Sequence, residues 1–231
     1  EAENLGRLWT LVFAFLGSEQ PINDYYSHYH QDVHIFAERG LKKAYQSAVI
    51  INAFNIPGES SLGSGNYMQV NTHKFILTAY HVVEGKKNII ITEKSGHHHQ
   101  AFVKYIDKSN DVAILKVYEN MDYTKSIEFT ANPDRPVGRE VFYCGHPDNN
   151  YFKIFSGRVN GNDGPWVTID SFAWPGSSGS VVFDEYGNAI GVVSAVNTSS
   201  PTGVLVLVPN LVRLGPMNHL TRDLIEEVLR G

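Results

Sequence analysis

Cysteine is nearly absent from this 231-residue chain, and the sequence also lacks long apolar runs and clusters of basic residues. The single cysteine, Cys144, cannot form an internal disulfide, so the fold must depend on its hydrophobic core. A net charge of -5 without any run of Lys or Arg argues against a nucleic-acid partner. The most apolar stretch near the start, residues 5–17, is too short to span a bilayer and is interrupted by Arg7.

Short β-strands are predicted along most of the chain. Segments rich in Val, Ile, Phe and Tyr alternate with turns such as NGNDG and DEYGN. The predicted strands cover residues 47–54, 74–80, 87–92, 112–118, 139–145, 151–157, 166–172, 180–184, 189–195 and 203–208. Many short strands at this spacing are typical of a β-barrel or a β-sandwich. The less periodic stretch 119–136 is predicted to join two halves.

The two ends of the chain carry the predicted helices. Residues 5–17 have apolar side chains at helical spacing, which favours an amphipathic helix packed on the domain or on a partner over a membrane anchor. Residues 217–230 form a second amphipathic pattern, with Asn218 as the expected N-cap. The polar and aromatic stretch 18–46 is predicted to cover the surface or to lie at a subunit contact.

A cluster of serines in WPGSSGSVVF, residues 174–183, raises the question of a nucleophile. An attacking serine needs a base, a group that orients the base, and donors for the oxyanion. His81 ends an apolar strand, although a core histidine bonded to a carbonyl would look the same. Asp111 begins the apolar run DVAILKV, where a turn aspartate is the alternative. Residues 176–180 alone would more often form an ordinary turn.

Taken together in the order His, Asp, Ser, these segments resemble the chymotrypsin-fold serine peptidases. TAYHVV is similar to the family's T-A-x-H motif, NDVAILKV to D-[IVL]-A-[LIV]-[LIV]-K, and PGSSGS to G-x-S-G-[GS]. The resemblance implies that His81 is the general base, Asp111 its orienting acid and Ser178 the nucleophile. It also implies that the amides of Gly176 and Ser178 form the oxyanion hole.

The same resemblance implies an architecture. The expected fold is all-β, with two six-stranded antiparallel β-barrels, an N-terminal extension and a C-terminal helix. The expected boundaries are 1–46 for the extension, 47–120 and 121–215 for the two barrels, and 216–231 for the helix.

Within this family, the HtrA/Deg type shows the greatest similarity. GSGNYMQVNTHKFILTAYHVV and VTIDSFAWPGSSGSVVFDEYGNAIGVVSA resemble segments of that type, although Ser180 stands where it has a second glycine. We expect a protease domain without a PDZ domain, because none follows the terminal helix in this sequence. The resemblance also implies an extracytoplasmic or organellar location. It further implies a homotrimer contact through the extension, which carries Tyr25, Tyr26 and Tyr29.

The resemblance assigns substrate binding to two short segments. The residues expected to line the specificity pocket are Phe172, Ala173, Val193, Ser194, Ala195 and Val196. None of them is acidic, so the pocket has no counter-charge for Lys or Arg, and Val193 replaces the histidine of glutamyl endopeptidases. We therefore expect cleavage of protein or peptide substrates after small or medium apolar residues.

No metal or other cofactor is expected. His28, His30 and His34 form one histidine cluster and residues 97–99 another, but neither has a compelling Cys or carboxylate partner, and polar loops are favoured. Two function classes remain open. One is an active endopeptidase in protein processing or quality control, or a viral or phage-type processing protease. The other is a catalytically silent relative that serves as a binding or assembly module, and the complete His–Asp–Ser set argues against it.

Overall fold

The computed structural model describes residues 31–56, 60–132, 134–199 and 206–230, so the predicted helix at 5–17 and the tyrosines of the extension lie outside the described residues. The elements in chain order are α1 (Gln31–Ser47), β1 (Ala48–Phe54), β2 (Ser60–Val70), β3 (His73–Thr78), α2 (Tyr80–Val83), β4 (Asn88–Thr92), β5 (His98–Asp107), β6 (Val112–Val117), β7 (Ile127–Glu128), β8 (Glu140–Gly145), a 3-10 turn (Pro147–Asn149), β9 (Lys153–Asp163), β10 (Trp166–Asp170), β11 (Val181–Asp184), β12 (Ala189–Ser199), β13 (Val206–Gly215) and α3 (Arg222–Arg230).

Six antiparallel strands form the first barrel in the order β1-β4-β5-β6-β3-β2, and β2 pairs again with β1 to close it. Ile51 on β1 lies opposite Gly63 of β2 on one side and Ile91 of β4 on the other. The short strand β7 adds a parallel pairing to β2 through Met68 and Ile127.

The second barrel is closed by β10-β13-β12-β11-β8-β9. Its interior is filled by buried side chains that alternate along these strands, among them Tyr143, Val159, Ile169 and Ile190. The predicted all-β fold of two six-stranded antiparallel β-barrels is therefore confirmed.

The two barrels also share one hydrophobic cluster. Side chains of the second barrel, including Cys144, Val181 and Phe183, pack in the same buried cluster as Ile51 and Leu77 of the first. The two barrels are therefore packed against each other through a common core.

Helix α1, which the sequence analysis did not predict, precedes the first barrel but packs against β8 and β11 of the second. Gly40 permits the close approach, because a Cβ there would lie 2.1 Å from the carbonyl oxygen of Asp184. Lys43 Nζ fixes the helix by donating to the Gly187 carbonyl at 2.8 Å.

The C-terminal helix α3 is shorter than predicted, and its expected N-cap is wrong. The Oγ1 atom of Thr221 accepts a hydrogen bond from the Leu224 amide at 3.2 Å, which makes Thr221 the cap. Asn218 is engaged elsewhere, since its side-chain oxygen accepts from Arg135 at 2.7 Å. None of the helices among the described residues has both the length and the apolar character needed to cross a membrane.

Candidate active site

The loop between β10 and β11 contains a tight turn at residues 175–180 that only glycine can form at two positions. Gly176 has φ +101 and Gly179 φ +92, in the region that disfavours residues with a side chain. A Cβ on Gly176 would lie 2.3 Å from the His146 carbonyl oxygen, and one on Gly179 would lie 2.1 Å from the Ser64 carbonyl oxygen. The turn thereby presents Ser178 between two closely packed backbone segments.

Some amide groups of this turn donate hydrogen bonds within the structure and others do not. Ser177 N–H donates to Trp174 O at 2.9 Å, and Gly179 N–H donates to Val193 O at 2.8 Å. Within the described part of the chain, the amides of Gly176 and Ser178 have no acceptor. Two unpaired donors on either side of Ser177 are what an anionic oxygen bound at this turn would require.

The imidazole of His81 is held by a carboxylate from a different strand. His81 lies on the single helical turn α2, directly after β3, and its Nδ1 is 2.8 Å from Asp111 Oδ2. The backbone N–H of His81 donates to Asp111 Oδ1 at 2.9 Å. Nδ1 therefore carries the proton and Nε2 keeps its lone pair, on a ring that is 41% exposed.

Asp111 is a partly buried anion with three donors. It directly precedes β6 and has its backbone in the left-handed region, at φ +54. Burial alone would raise the pKa of its carboxyl, but hydrogen bonds from His81 and Ser194 outweigh burial and hold that pKa below its ordinary value. The group is consequently an ionised carboxylate that can stabilise a positive charge on His81.

Ser194 supplies the third donor through an irregularity in β12. The register between β12 and β13 shifts between Val193 and Ala195, and Ser194 is the residue at this bulge. Its hydroxyl donates to Asp111 Oδ2. The sequence analysis placed Ser194 in the substrate pocket, whereas its side chain contacts the carboxylate.

Ser64 of β2 joins the turn to the first barrel. Its backbone N–H donates to Ser178 O at 2.7 Å, and its carbonyl accepts from Thr78 Oγ1 at 2.8 Å. Because Thr78 lies three residues before His81, this connection brings the Ser178 turn and the His81 turn to the same edge of the barrel interface. No hydrogen bond links Ser178 Oγ to the imidazole among the described residues, and apo sites often have such contacts loose.

The sequence analysis missed a second histidine at this place, and this one is buried. His146 directly follows β8, and its Nδ1 lies 2.7 Å from Ser64 Oγ, which also lies 2.7 Å from the carbonyl oxygen of Gly176. Burial foremost, with the charge of Lys94 adding to it, lowers the pKa of His146 to about 3. The sequence did contain one indication of His146: it is a polar residue at the end of an apolar strand, in the segment FYCGHP.

The residues predicted to bind substrate separate into two groups. A groove of about 320 Å³ is lined by Phe172 together with Pro147, Asp148, Asn150 and Trp174. The rings of Phe172 and Trp174 stack at 6.4 Å and are partly exposed.

The remaining predicted pocket residues do not line this groove. Ala173 and Val193 lie in the core of the second barrel, and Ala195 is exposed. The side chain of Val196 lies outside the described residues.

The histidines considered as metal ligands have other partners. His97 stacks on Tyr123, His98 pairs with Thr92 Oγ1, and His99 lies between two carboxylates. The side chains of the first cluster, residues 28–34, lie outside the described residues. In the ranges that the structure describes, no group of three or more His, Cys, Asp or Glu side chains is arranged to hold a metal ion.

Comparison with known proteins places the segment around this site in a family. Residues 63–192 match the family described as trypsin-like peptidase domain. Among curated proteins, a probable periplasmic serine endoprotease DegP-like of Halomonas elongata is 28% identical over 71% of this chain and 36% of its own length. A serine protease HtrA-like of Staphylococcus haemolyticus is 29% identical over 69% of this chain and 28% of its own. The chain thus spans about a third of the length of these relatives.

Solved structures show the same architecture. The serine endoprotease from Yersinia pestis superposes with a TM-score of 0.64 at 21% identity, covering 88% of this chain and 68% of the other. The HtrA-type protease AlgW, solved with a tripeptide, gives a TM-score of 0.66 at 20% identity, covering 84% of this chain and 63% of the other. At this identity the likeness establishes the fold.

Proposed function

We propose that this chain, which belongs to the family of trypsin-like peptidases, is a serine endopeptidase that uses Ser178, His81 and Asp111. The observation that carries the proposal is the hydrogen-bonded His81–Asp111 pair beside the Ser178 turn. In that pair the partly buried carboxylate of Asp111 fixes the imidazole of His81 so that the Nε2 lone pair is available. The two unengaged amides of Gly176 and Ser178 support the same assignment.

The reaction follows from the protonation states. Ser178 Oγ attacks the carbonyl carbon of the scissile bond while its proton passes to Nε2 of His81. The Asp111 carboxylate stabilises the imidazolium, and the amides of Gly176 and Ser178 bind the oxyanion.

Collapse of the tetrahedral intermediate breaks the C–N bond, and His81 gives the proton to the leaving amine. Water then attacks the acyl-enzyme ester with His81 again as base. This second half of the reaction releases the acid and returns the proton to Ser178.

The proposed specificity is for small or medium apolar residues. Phe172 provides apolar surface at the groove and limits its size, and no acidic residue stands at positions 172, 173 or 193–196. Asp148 also lines the groove but is solvent-exposed, so its charge is screened. A peptide-library profile dominated by Ala, Val or Leu before the cut would support this proposal, and one dominated by Lys, Arg or Glu would contradict it.

The proposed setting is protein quality control or processing outside the cytoplasm or in an organelle. It rests on the relatives, one named as a periplasmic endoprotease and another, from Arabidopsis thaliana, as the chloroplastic protease Do-like 1. A homotrimer built through residues 1–46 belongs to the same proposal. Light scattering that gave a monomer would contradict the trimer without affecting the chemistry.

Replacement of the nucleophile tests the central claim. Ser178→Ala should lower the turnover of a casein substrate by about a thousandfold or more and abolish labelling by a fluorophosphonate probe. Ser177→Ala is the matched control, because it removes a neighbouring hydroxyl and keeps the backbone; it should label and turn over. Equal rates for Ser178→Ala and the unmodified chain would contradict the assignment. A folded chain that neither labels nor turns over would instead be the silent binding module.

A further inference from the structure

Gly176 supplies one of the two amides of the proposed oxyanion hole, and its own backbone does not fix the direction of that amide. A glycine at φ +101 rotates easily about both of its backbone bonds. Its N–H belongs to the peptide plane shared with Pro175, and its carbonyl belongs to the plane shared with Ser177. Since each peptide unit is rigid, holding both planes would fix the direction of the Gly176 N–H.

Each plane is held by its own contact, and residues 146–148 take part in both, directly in the first and through Ser64 in the second. The backbone N–H of Asp148 donates to Pro175 O at 3.0 Å, which fixes the first plane. Ser64 Oγ donates to Gly176 O at 2.7 Å, which fixes the second. His146 controls that hydroxyl, because its Nδ1 lies 2.7 Å from the same oxygen.

Counting hydrogens determines the direction of these bonds. A hydroxyl has one proton, and the Gly176 carbonyl can only accept, so the Ser64 proton must lie on that bond. Ser64 Oγ must therefore accept from His146, which requires the proton of the neutral imidazole on Nδ1. The chain of donors runs from His146 through Ser64 to Gly176 in one direction only.

The other ring nitrogen of His146, Nε2, does not explain why a histidine stands at this position. His146 is fully buried, and its Nε2 has no hydrogen-bond partner among the described residues. The ring stands edge-on to Phe152, with centroids 4.7 Å apart. A buried polar atom without a partner carries a free-energy cost, so the bond at Nδ1 is the interaction that accounts for a histidine at this position.

We propose that His146 is a positioning residue for the oxyanion hole: through Ser64 it holds the peptide unit after Gly176, while the Asp148 amide holds the unit before it, and the two contacts together aim the Gly176 amide at the oxyanion. This inference rests on the proposed function of the same site and adds two residues to it. Neither residue touches substrate, and their contribution should appear in the transition state rather than in substrate binding.

Kinetics of paired variants test the proposal. His146→Leu removes the donor, and Ser64→Ala removes the link, so each should lower kcat on an alanine para-nitroanilide peptide by about tenfold or more while KM stays within about twofold. Affinity for the matching peptide boronic acid, whose adduct is tetrahedral, should fall by a similar factor. His146→Asn restores a donor N–H near the Nδ1 position and should recover most of kcat. His98→Leu is the control, because it breaks another hydroxyl–imidazole pair, with Thr92, on β4 and β5.

The possible results distinguish a failure of the positioning role from a failure of the proposed function. A folded His146→Leu variant with unchanged kcat, or an equal defect in His146→Leu and His146→Asn, would overturn the positioning role. Nitrogen-15 NMR of His146 gives a readout without turnover: Nδ1–H is expected in the unmodified chain, and Nε2–H would overturn the proposal. If His146→Leu does not fold, Ser64→Ala and His146→Asn decide by the same criteria. A parent chain no faster than Ser178→Ala would instead contradict the proposed function.

Discussion

At the scale of single residues, Gly179 allows the Ser178 turn to approach the first barrel more closely than any side chain would permit. A Cβ there would lie 2.1 Å from Ser64 O and 2.3 Å from Thr78 Oγ1, and the backbone has φ +92. Gly85 has a similarly positive φ, +64, but no atom lies within 4 Å of a Cβ built on it. A substitution at Gly85 therefore measures the free-energy cost of the backbone conformation alone, whereas one at Gly179 adds the cost of steric overlap.

We predict that Gly179→Ala lowers the free energy of unfolding by roughly 2–4 kcal/mol, because strain and overlap add. Turnover should be lost even where the variant folds, since the turn must move away from Ser64. Gly85→Ala should cost only about 1 kcal/mol and leave activity intact. Urea denaturation and casein hydrolysis provide the measurements. Equal effects of the two substitutions would show that the close approach does not matter.

The role of a residue could be predicted from the sequence only where its place along the chain, or the motif around it, indicated which residues it contacts in space. His81 follows one predicted strand and Asp111 precedes another, but these positions alone did not select them; they were selected together with Ser178, because the three segments resemble one family. The same resemblance placed Ser194 in the pocket, and alternation along a strand cannot show the bulge that turns it to Asp111. His146 was missed because its partner Ser64 is 82 residues away in the chain.

At the scale of elements, the sequence analysis missed two barrel strands for different reasons. β2, with the sequence SSLGSGNYMQV, has low β-propensity. Its glycines are needed for packing, since a Cβ on Gly63 would lie 2.5 Å from Val82 and one on Gly65 2.8 Å from Ile51. β5 begins with histidines and has one exposed face, so it lacks the apolar run that marked the other strands.

One of those missed strands carries a charge network in which His99 and Glu93 are buried and Glu119 is exposed. His99 of β5 donates from Nε2 to Glu93 at 2.7 Å and from Nδ1 to Glu119 at 3.0 Å, which requires both nitrogens to be protonated. Burial alone would lower the pKa of His99, but the hydrogen bonds to Glu93 and then Glu119 outweigh it and raise that pKa above its ordinary value. The network links the β4–β5 connection to the segment after β6.

We predict that this network stabilises the fold less as the pH rises. Because the pKa of His99 is higher in the folded state, its contribution is complete below the unfolded value of about 6.5 and is lost as the pH rises through the folded value. The contribution of His99 to the free energy of unfolding should therefore fall as the pH rises above about 6.5, so the free-energy difference between the unmodified chain and His99→Gln should shrink over that range. His98→Gln is the control, because His98 faces a hydroxyl and no carboxylate. The same pH dependence of that difference for both variants would rule out His99 as its source.

At the scale of the whole molecule, the two barrels are connected by more than the active-site cleft. The shared cluster includes Val181 and Phe183 from the second barrel together with strands of the first, while α1 leads into β1 and packs on β8 and β11. Val159, in contrast, belongs to the cluster that only the second barrel contributes to. Strand number and spacing predicted a barrel or a sandwich, and the family resemblance implied two barrels, but this coupling depends on long-range contacts that periodicity does not reveal.

We predict that the barrels unfold as one unit. Val159→Ala should cost on the order of 2 kcal/mol, which accelerates exchange through global unfolding by about 30-fold. Hydrogen exchange measured by mass spectrometry should show the same acceleration in the slowest amides of β4 and β6 as in those of β8 and β9. Leu115→Ala, in β6 and the shared cluster, provides the reciprocal experiment and should accelerate both sets as well. If each substitution affected only the barrel that contains it, the barrels would be independent folding units joined only at the catalytic cleft.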